Sequence, residues 1–160
     1  MYLFDASSII LAWDNYPIEN FPPFWVWFSK QIEEKEFMTS EVAYDEVSKK
    51  SPDCTKWLNQ ASLGRLEVSN NILQFAAHIQ HLLGIENDAY HPKGVDENDV
   101  LVVAAAKVHK SILVSDESRQ TKLPLEMKKY KIPAVCSLAG IDVECVSLVE
   151  LIKKSGERFV

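Results

Sequence analysis

The segment Val100-Leu101-Val102-Val103-Ala104-Ala105-Ala106 presents no polar side chain on any side, directly after Asp96-Glu97-Asn98-Asp99. A helix that is apolar all round has no face to give to water, so it must lie at the centre of whatever the chain builds. At seven residues it falls far short of the roughly 18 needed to span a membrane, which leaves the middle of a folded domain as its place. The rest of the chain has to wrap it.

Short apolar runs alternate with helical patterns on both sides of that segment. Tyr2-Leu3-Phe4 reads as a strand ending at Asp5, and Ser7 to Trp13 as a buried helix. Phe24 to Glu36 has helical spacing, Phe37-Met38-Thr39 suits a second strand, and Thr39 or Ser40 would cap a helix running to about Lys50. Ser51-Pro52-Asp53 separates that helix from one carrying Trp57 and Leu58, and Leu66-Glu67-Val68 suits a minor strand. Asn70 to Leu83 is amphipathic, with Gly84 as its stop, and Ile85 to Val95 reads as a surface loop. Ser111-Ile112-Leu113-Val114 is a buried strand, Ala134-Val135-Cys136 is expected to be the last strand, and a helix follows from about Ser147 to Lys154. This alternation predicts one domain over residues 1–160, a three-layer α/β/α sandwich around a mainly parallel sheet.

Three cysteines, Cys54, Cys136 and Cys145, form no C-x-x-C pair, which argues against a zinc site or a secreted disulfide framework. Cys136 reads as core. No leader-like or membrane-spanning run is present, so a soluble, unprocessed protein of a reducing cytoplasm is expected. The net charge of -6 does not suggest a protein that holds nucleic acid mainly by neutralising phosphates, but it suits a hard-cation site of carboxylates. The glycines make no G-x-G-x-x-G and no P-loop, and Asp5-Ala6-Ser7 lacks the second acid of a D-x-D phosphotransferase. His78 and His81 fall opposite the apolar stripe of their helix and read as solvated.

The acids beside apolar sequence are the informative ones. Asp5 follows a strand, where it could cap the next helix or face a ligand at the C-terminal edge of the sheet. Glu46 lies on the apolar face of its helix and needs a partner there, whereas Glu41 and Asp45 sit further round and read as solvated. Asp99, three residues after Asp96, suits a capping pair as well as a ligand, and Asp116 and Glu117 end a buried strand. Like charges crowded on one edge repel unless a cation or shared protons neutralise them.

The ordered set Tyr2-Leu3-Phe4-Asp5-Ala6-Ser7-Ser8, Glu46 within Val42 to Val47, Asp99 before the central apolar helix, and Leu113-Val114-Ser115-Asp116-Glu117 resembles PIN domains over nearly the whole chain. The likeness is nearest to an uncharacterised PIN-like subfamily, through Lys131-Ile132-Pro133-Ala134-Val135-Cys136 and Gly156-Glu157-Arg158-Phe159. The resemblance implies a Mg2+- or Mn2+-dependent endoribonuclease, often the toxin of a toxin-antitoxin pair, with metal held by Asp5, Glu46 and Asp99. The fourth family acid falls at Asp116 or Glu117, and Ser7, with Ser115, stands as a supporting polar residue. RNA would be the substrate and an antitoxin protein the partner, and homodimers are common in the family. Arg119, Lys122, Lys128, Lys129 and Lys131 could form a basic rim for phosphates, with Arg119 and Lys122 foremost. The competing expectation is a PIN-like scaffold that binds protein and has no nuclease activity.

Overall fold

A computed structural model describes residues 1–160 and orders the chain as β1 (Tyr2–Phe4), α1 (Ala6–Asn15), α2 (Pro22–Glu33), β2 (Phe37–Ser40), α3 (Glu41–Lys50), α4 (Pro52–Gln60), β3 (Gly64–Leu66), α5 (Asn70–Leu83), α6 (Glu97–Val108), β4 (Ile112–Val114), α7 (Ile132–Ser137), β5 (Cys145–Val146) and α8 (Leu148–Ser155). The strands form one sheet in the order β3-β2-β1-β4-β5, and every neighbouring pair is parallel. Parallel pairing needs crossovers, and the helices between strands provide them on the two faces of the sheet. This is the three-layer α/β/α arrangement that the alternating pattern predicts.

Helix α6 is the central element. Val100, Val102, Val103, Ala104, Ala105 and Ala106 are all buried, and the helix packs against α3, α5 and α7. Its small alanines let those neighbours approach closely. Helix α5 runs over the predicted Asn70–Leu83, because Ser69 accepts the Ile72 N–H at its start and Gly84 ends it at φ +72°, a left-handed conformation suited to glycine. Ser40 likewise caps α3, accepting the Ala43 N–H at 3.1 Å. No helix is long and apolar enough to cross a membrane.

On the α2 side of the sheet the packing is aromatic. Phe28 meets Phe4 with ring centroids 5.3 Å apart and Phe37 at 5.0 Å, and Phe4 meets Phe37 at 4.8 Å. Trp25 joins Phe28 to Trp57 of α4.

The C-terminal third departs from the sequence reading. Ala134-Val135-Cys136, expected as a strand, lies in α7, where Pro133 sits in the first turn and Ala134, Val135 and Cys136 are buried. An apolar run this short carries no usable period, so helix and strand look alike in sequence. The last strand is Cys145–Val146, only two residues long. The minor strand is Gly64–Leu66 rather than Leu66–Val68. Glu41 is not simply solvated, because its Oε1 accepts the Val68 N–H at 2.8 Å.

Candidate metal centre

Parallel strands share one C-terminal edge, and β1 and β4 both deliver polar residues there. Asp5 holds the position that would cap α1, but its side chain makes no cap hydrogen bond. Oδ2 instead accepts the hydroxyls of Ser7 at 2.7 Å and Ser115, directly after β4, at 3.1 Å. Asp5 is 3% exposed, and burial pushes its carboxyl above the ordinary range despite the two hydroxyls, which act the other way.

Above Asp5, α3 and the start of α6 bring Glu46, Asp96 and Asp99 together, so that one carboxylate oxygen from each lies within 4.8 Å of the others. The Asn98 amide Nδ2–H donates to Glu46 Oε1 at 3.3 Å and orients it. Asp96 and Asp99 also form a reciprocal capping box: Asp96 Oδ1 accepts the Asp99 N–H at 2.8 Å, and Asp99 Oδ2 accepts the Asp96 N–H at 3.0 Å. Capping and clustering therefore coexist. One oxygen of each aspartate is engaged with backbone.

Electrostatically the cluster is a strained set of acids. Asp99 is pushed from 3.8 up to about 8, first by burial and then by the charges of Asp96, Asp5 and Glu117. Glu46 and Glu117 are raised as well, burial again leading and the charge of Asp5 adding to it. The charge of Asp5 thus bears on Asp99, Glu46 and Glu117 alike. All donors are oxygens, several charged, which fits a hard divalent cation such as magnesium or manganese and not a thiophilic one.

The two acids after β4 separate. Glu117 lines the same cleft of about 540 Å³ as Glu46, Asp96 and Asp99. Asp116 points elsewhere: its Oδ2 accepts the Ser8 hydroxyl at 2.5 Å and the Leu148 N–H, at the start of α8, at 3.2 Å. Its role is to fasten α1 and α8 to the turn, satisfying one of the otherwise unpaired N–H groups of α8. Asp116 does not line the cleft, and one of its two carboxylate oxygens is engaged with Ser8 and Leu148, whereas its N–H donates to the Ser7 hydroxyl that also holds Asp5.

The basic residues also differ from expectation. Arg119 is no free rim cation, since Nη1 donates to the carbonyls of Ser115 at 2.5 Å and Glu117 at 2.9 Å. It clamps the turn that presents those residues. Lys122 is exposed but does not line the cleft. The cations that do line it are Lys131 and Lys50. Lys50 escaped notice in the sequence although it follows Glu46 by one helical turn, a spacing that places both on one face of α3. Asp96 had been visible as half of the capping pair. The cleft wall itself depends on Gly94, where a Cβ would stand 1.9 Å from the Lys128 carbonyl oxygen, and on the Val95 N–H donating to the Tyr130 carbonyl at 2.9 Å.

An all-parallel five-stranded sheet with helices on both faces and acids at its C-terminal edge is the architecture of a PIN-like fold. Within that class, the chain belongs to the family described as a domain of unknown function (DUF4411), whose model matches residues 2–159. Among solved structures it is similar to VapBC2 from Rickettsia felis bound to a promoter DNA fragment, at 12% identity and TM-score 0.53, covering 91% of this chain and 97% of that one. It is also similar to a toxin-antitoxin complex from Klebsiella pneumoniae, at 17% identity and TM-score 0.48, covering 78% of this chain and 93% of that one. No curated protein matches the sequence.

Proposed function

We propose that this protein, as a single domain over residues 1–160, is a magnesium- or manganese-dependent endoribonuclease and the toxin of a toxin-antitoxin pair, acting in the cytoplasm. The observation that carries this reading is the convergence of Glu46, Asp96 and Asp99, with oxygens within 4.8 Å of one another, over the buried Asp5. A cation would relieve the mutual repulsion of these acids, of which Asp5 is buried and Glu46 and Asp99 half-buried. Glu46, Asp99 and Asp96 would hold the ion directly, Asp5 would contribute to its charge balance, and Glu117 would assist. A divalent ion there supplies Lewis acidity and an activated water for phosphodiester hydrolysis.

The protein's own side chains do the remaining work. Ser7 and Ser115 keep Asp5 aimed, Asn98 keeps Glu46 aimed, and Lys50 and Lys131 offer charge to the phosphates on either side of the scissile one. With a net charge of -6, binding has to rest on this local pair of cations rather than on an extended basic face. Similarity to the VapBC2 structure supports a protein partner of the antitoxin kind.

The capping box favours a second reading, a PIN-like scaffold without nuclease activity, because it gives Asp96 and Asp99 a purely structural occupation. The two readings part in one experiment. Purified protein is incubated with single-stranded and structured RNA, with manganese or with EDTA, beside Asp5→Asn and Asp99→Asn. Manganese-dependent cleavage by the wild type, lost in both variants, is the expected result. Equal products from wild type and variants would overturn the nuclease reading, and the absence of manganese binding in calorimetry would select the scaffold.

A further inference from the structure

The cleft has a wall that carries none of the acids. Tyr90 and His91, in the connection between α5 and α6, line it beside Glu46, Asp99, Lys50 and Lys131. Both are half-buried, which leaves part of each ring open to the cleft. Neither ring is needed to hold a hard cation or to meet a phosphate.

The connection is built to keep these rings still. Asn87 and Asp88 take left-handed backbone conformations, at φ 52° and 56°, which their short polar side chains tolerate better than most. Gln80 of α5 donates its side-chain amide to Asp88 Oδ1 at 3.0 Å and to the Tyr90 hydroxyl, and the Tyr90 N–H donates to the Asp88 carbonyl at 3.0 Å. His91 is held on two sides: its Nδ1 accepts the Lys93 N–H and its carbonyl accepts the Gly94 N–H, each at 3.0 Å. With Nδ1 an acceptor, the neutral ring carries its proton on Nε2, which has no partner within the protein. Rings fixed in this way lose little freedom when a flat ligand meets them.

A nucleobase is such a ligand, with a π-face to stack and acceptors on its edge for the Nε2–H. The charge of the molecule argues in the same direction. With a net charge of -6 and only Lys50 and Lys131 as cations in the cleft, phosphate contacts alone give a weak hold, and stacking adds affinity that salt screens little. The cleft, at about 540 Å³, has the size of a pocket for one small ligand, which suits a nucleotide with its base turned out.

We propose that Tyr90 and His91 form a base subsite, in which one unpaired RNA base next to the scissile phosphate stacks on these rings while His91 Nε2 donates to its edge. The ligand class rests on the nuclease reading above. On this proposal the connection over residues 85–95 selects where an RNA is cut, and the acids carry out the cut. A base within a duplex is rejected, because its faces are already covered by its neighbours.

Short single-stranded RNAs carrying 2-aminopurine at each position in turn are bound to the full-length protein in calcium, with anisotropy reading binding and fluorescence quenching reading stacking. The same RNAs are then cleaved in manganese. The wild type should quench one position strongly, and an abasic nucleotide there should raise KM about 10–100-fold with little change in kcat. His91→Ala and Tyr90→Ala should lose the quenching and show the same rise in KM on intact RNA, with no further loss on the abasic RNA, since the same contact has already gone. Tyr90→Phe, which keeps the ring, should keep the quenching. Should Tyr90→Ala not fold, His91→Ala and the abasic series still decide. RNA that does not bind, RNA that binds without quenching at any position, or quenching that survives both alanine substitutions overturns the subsite. Position-specific quenching without manganese-dependent cleavage would instead remove the nuclease reading and leave the subsite standing.

Discussion

Phe4 and Asp5 are adjacent in the chain and almost equally buried, at 1% and 3% exposure, yet they belong to opposite regimes. Phe4 ends β1 within a block of rings shared with Phe28 and Phe37, where burial itself stabilises the fold. Asp5, one residue later, opens the acidic edge, where burial disfavours the charged form and neighbouring acids add repulsion. The aromatic side of the sheet offsets what the acidic edge costs. Such a division is what a rigid scaffold carrying a charged site requires, since strain at functional positions persists only when the surrounding structure over-determines it.

Truncating the aromatic side should have the largest effect on stability and none on chemistry. Phe28→Ala removes a ring in contact with Phe4, Phe24, Trp25, Phe37 and Trp57, and chemical denaturation should register a loss of about 3–5 kcal/mol. Manganese-dependent cleavage per folded molecule should persist. A variant with normal stability and no activity would dissolve the division between the two regions.

Asp5→Asn should do the reverse. Loss of a preorganised charge should lower cleavage on the order of 100–1,000-fold, while metal-free stability holds or rises because an unneutralised buried charge is gone. Destabilisation as large as that of Phe28→Ala would make Asp5 a structural residue instead.

A third expectation concerns pH in metal-free protein. Asp99 is raised from 3.8 to about 8, so the folded state keeps a proton that the unfolded chain has already released. Stability from this group is therefore fully present below about pH 4 and is lost as pH rises toward about 8. With about 2–4 °C per kcal/mol for a chain of this size, the melting temperature in EDTA should fall by several degrees between about pH 5 and about pH 8, and manganese should restore it most strongly at the upper end. A melting temperature that climbs across this window without metal would contradict the electrostatic account of the edge.

The smallest effects separate two neighbours within the acidic region itself. Asp116→Ala, which forfeits the Ser8 and Leu148 contacts, should cost about 1 kcal/mol, comparable to loss of a helix cap, and leave manganese affinity unchanged. Glu117→Gln should leave the melting temperature nearly constant and weaken manganese-dependent cleavage about 10-fold. The opposite pairing of effects would return Asp116 to the site.

Most of the fold was legible because its elements announce themselves locally. The periodic stretch Asn70–Leu83 carries its own cap and stop, and the apolar body of α6 has only one environment that suits it. Elements too short to show a period were not legible: Ala134-Val135-Cys136 is helical because Pro133 starts a turn packed on α6, and Cys145–Val146 is a strand only because β4 is there to pair with it. The same holds for the cleft. Asp5, Glu46 and Asp99 stood out as acids beside buried sequence, whereas Asp96 read as a cap alone and Lys50 only as the end of a helix.

By itself, then, the sequence determined the alternation of parallel strands and helices, the central helix, and which acids would stand at the ends of buried elements, since these follow from periodicity and capping over a few neighbouring residues. Only the tertiary structure decided that Glu117 faces the cleft while Asp116 turns to Ser8 and α8, and that Arg119 clamps a turn. The turn after β4 has no repeating geometry to aim its side chains. Their directions are set by hydroxyls and N–H groups arriving from Ser8, more than a hundred positions earlier, and from Leu148, about thirty later.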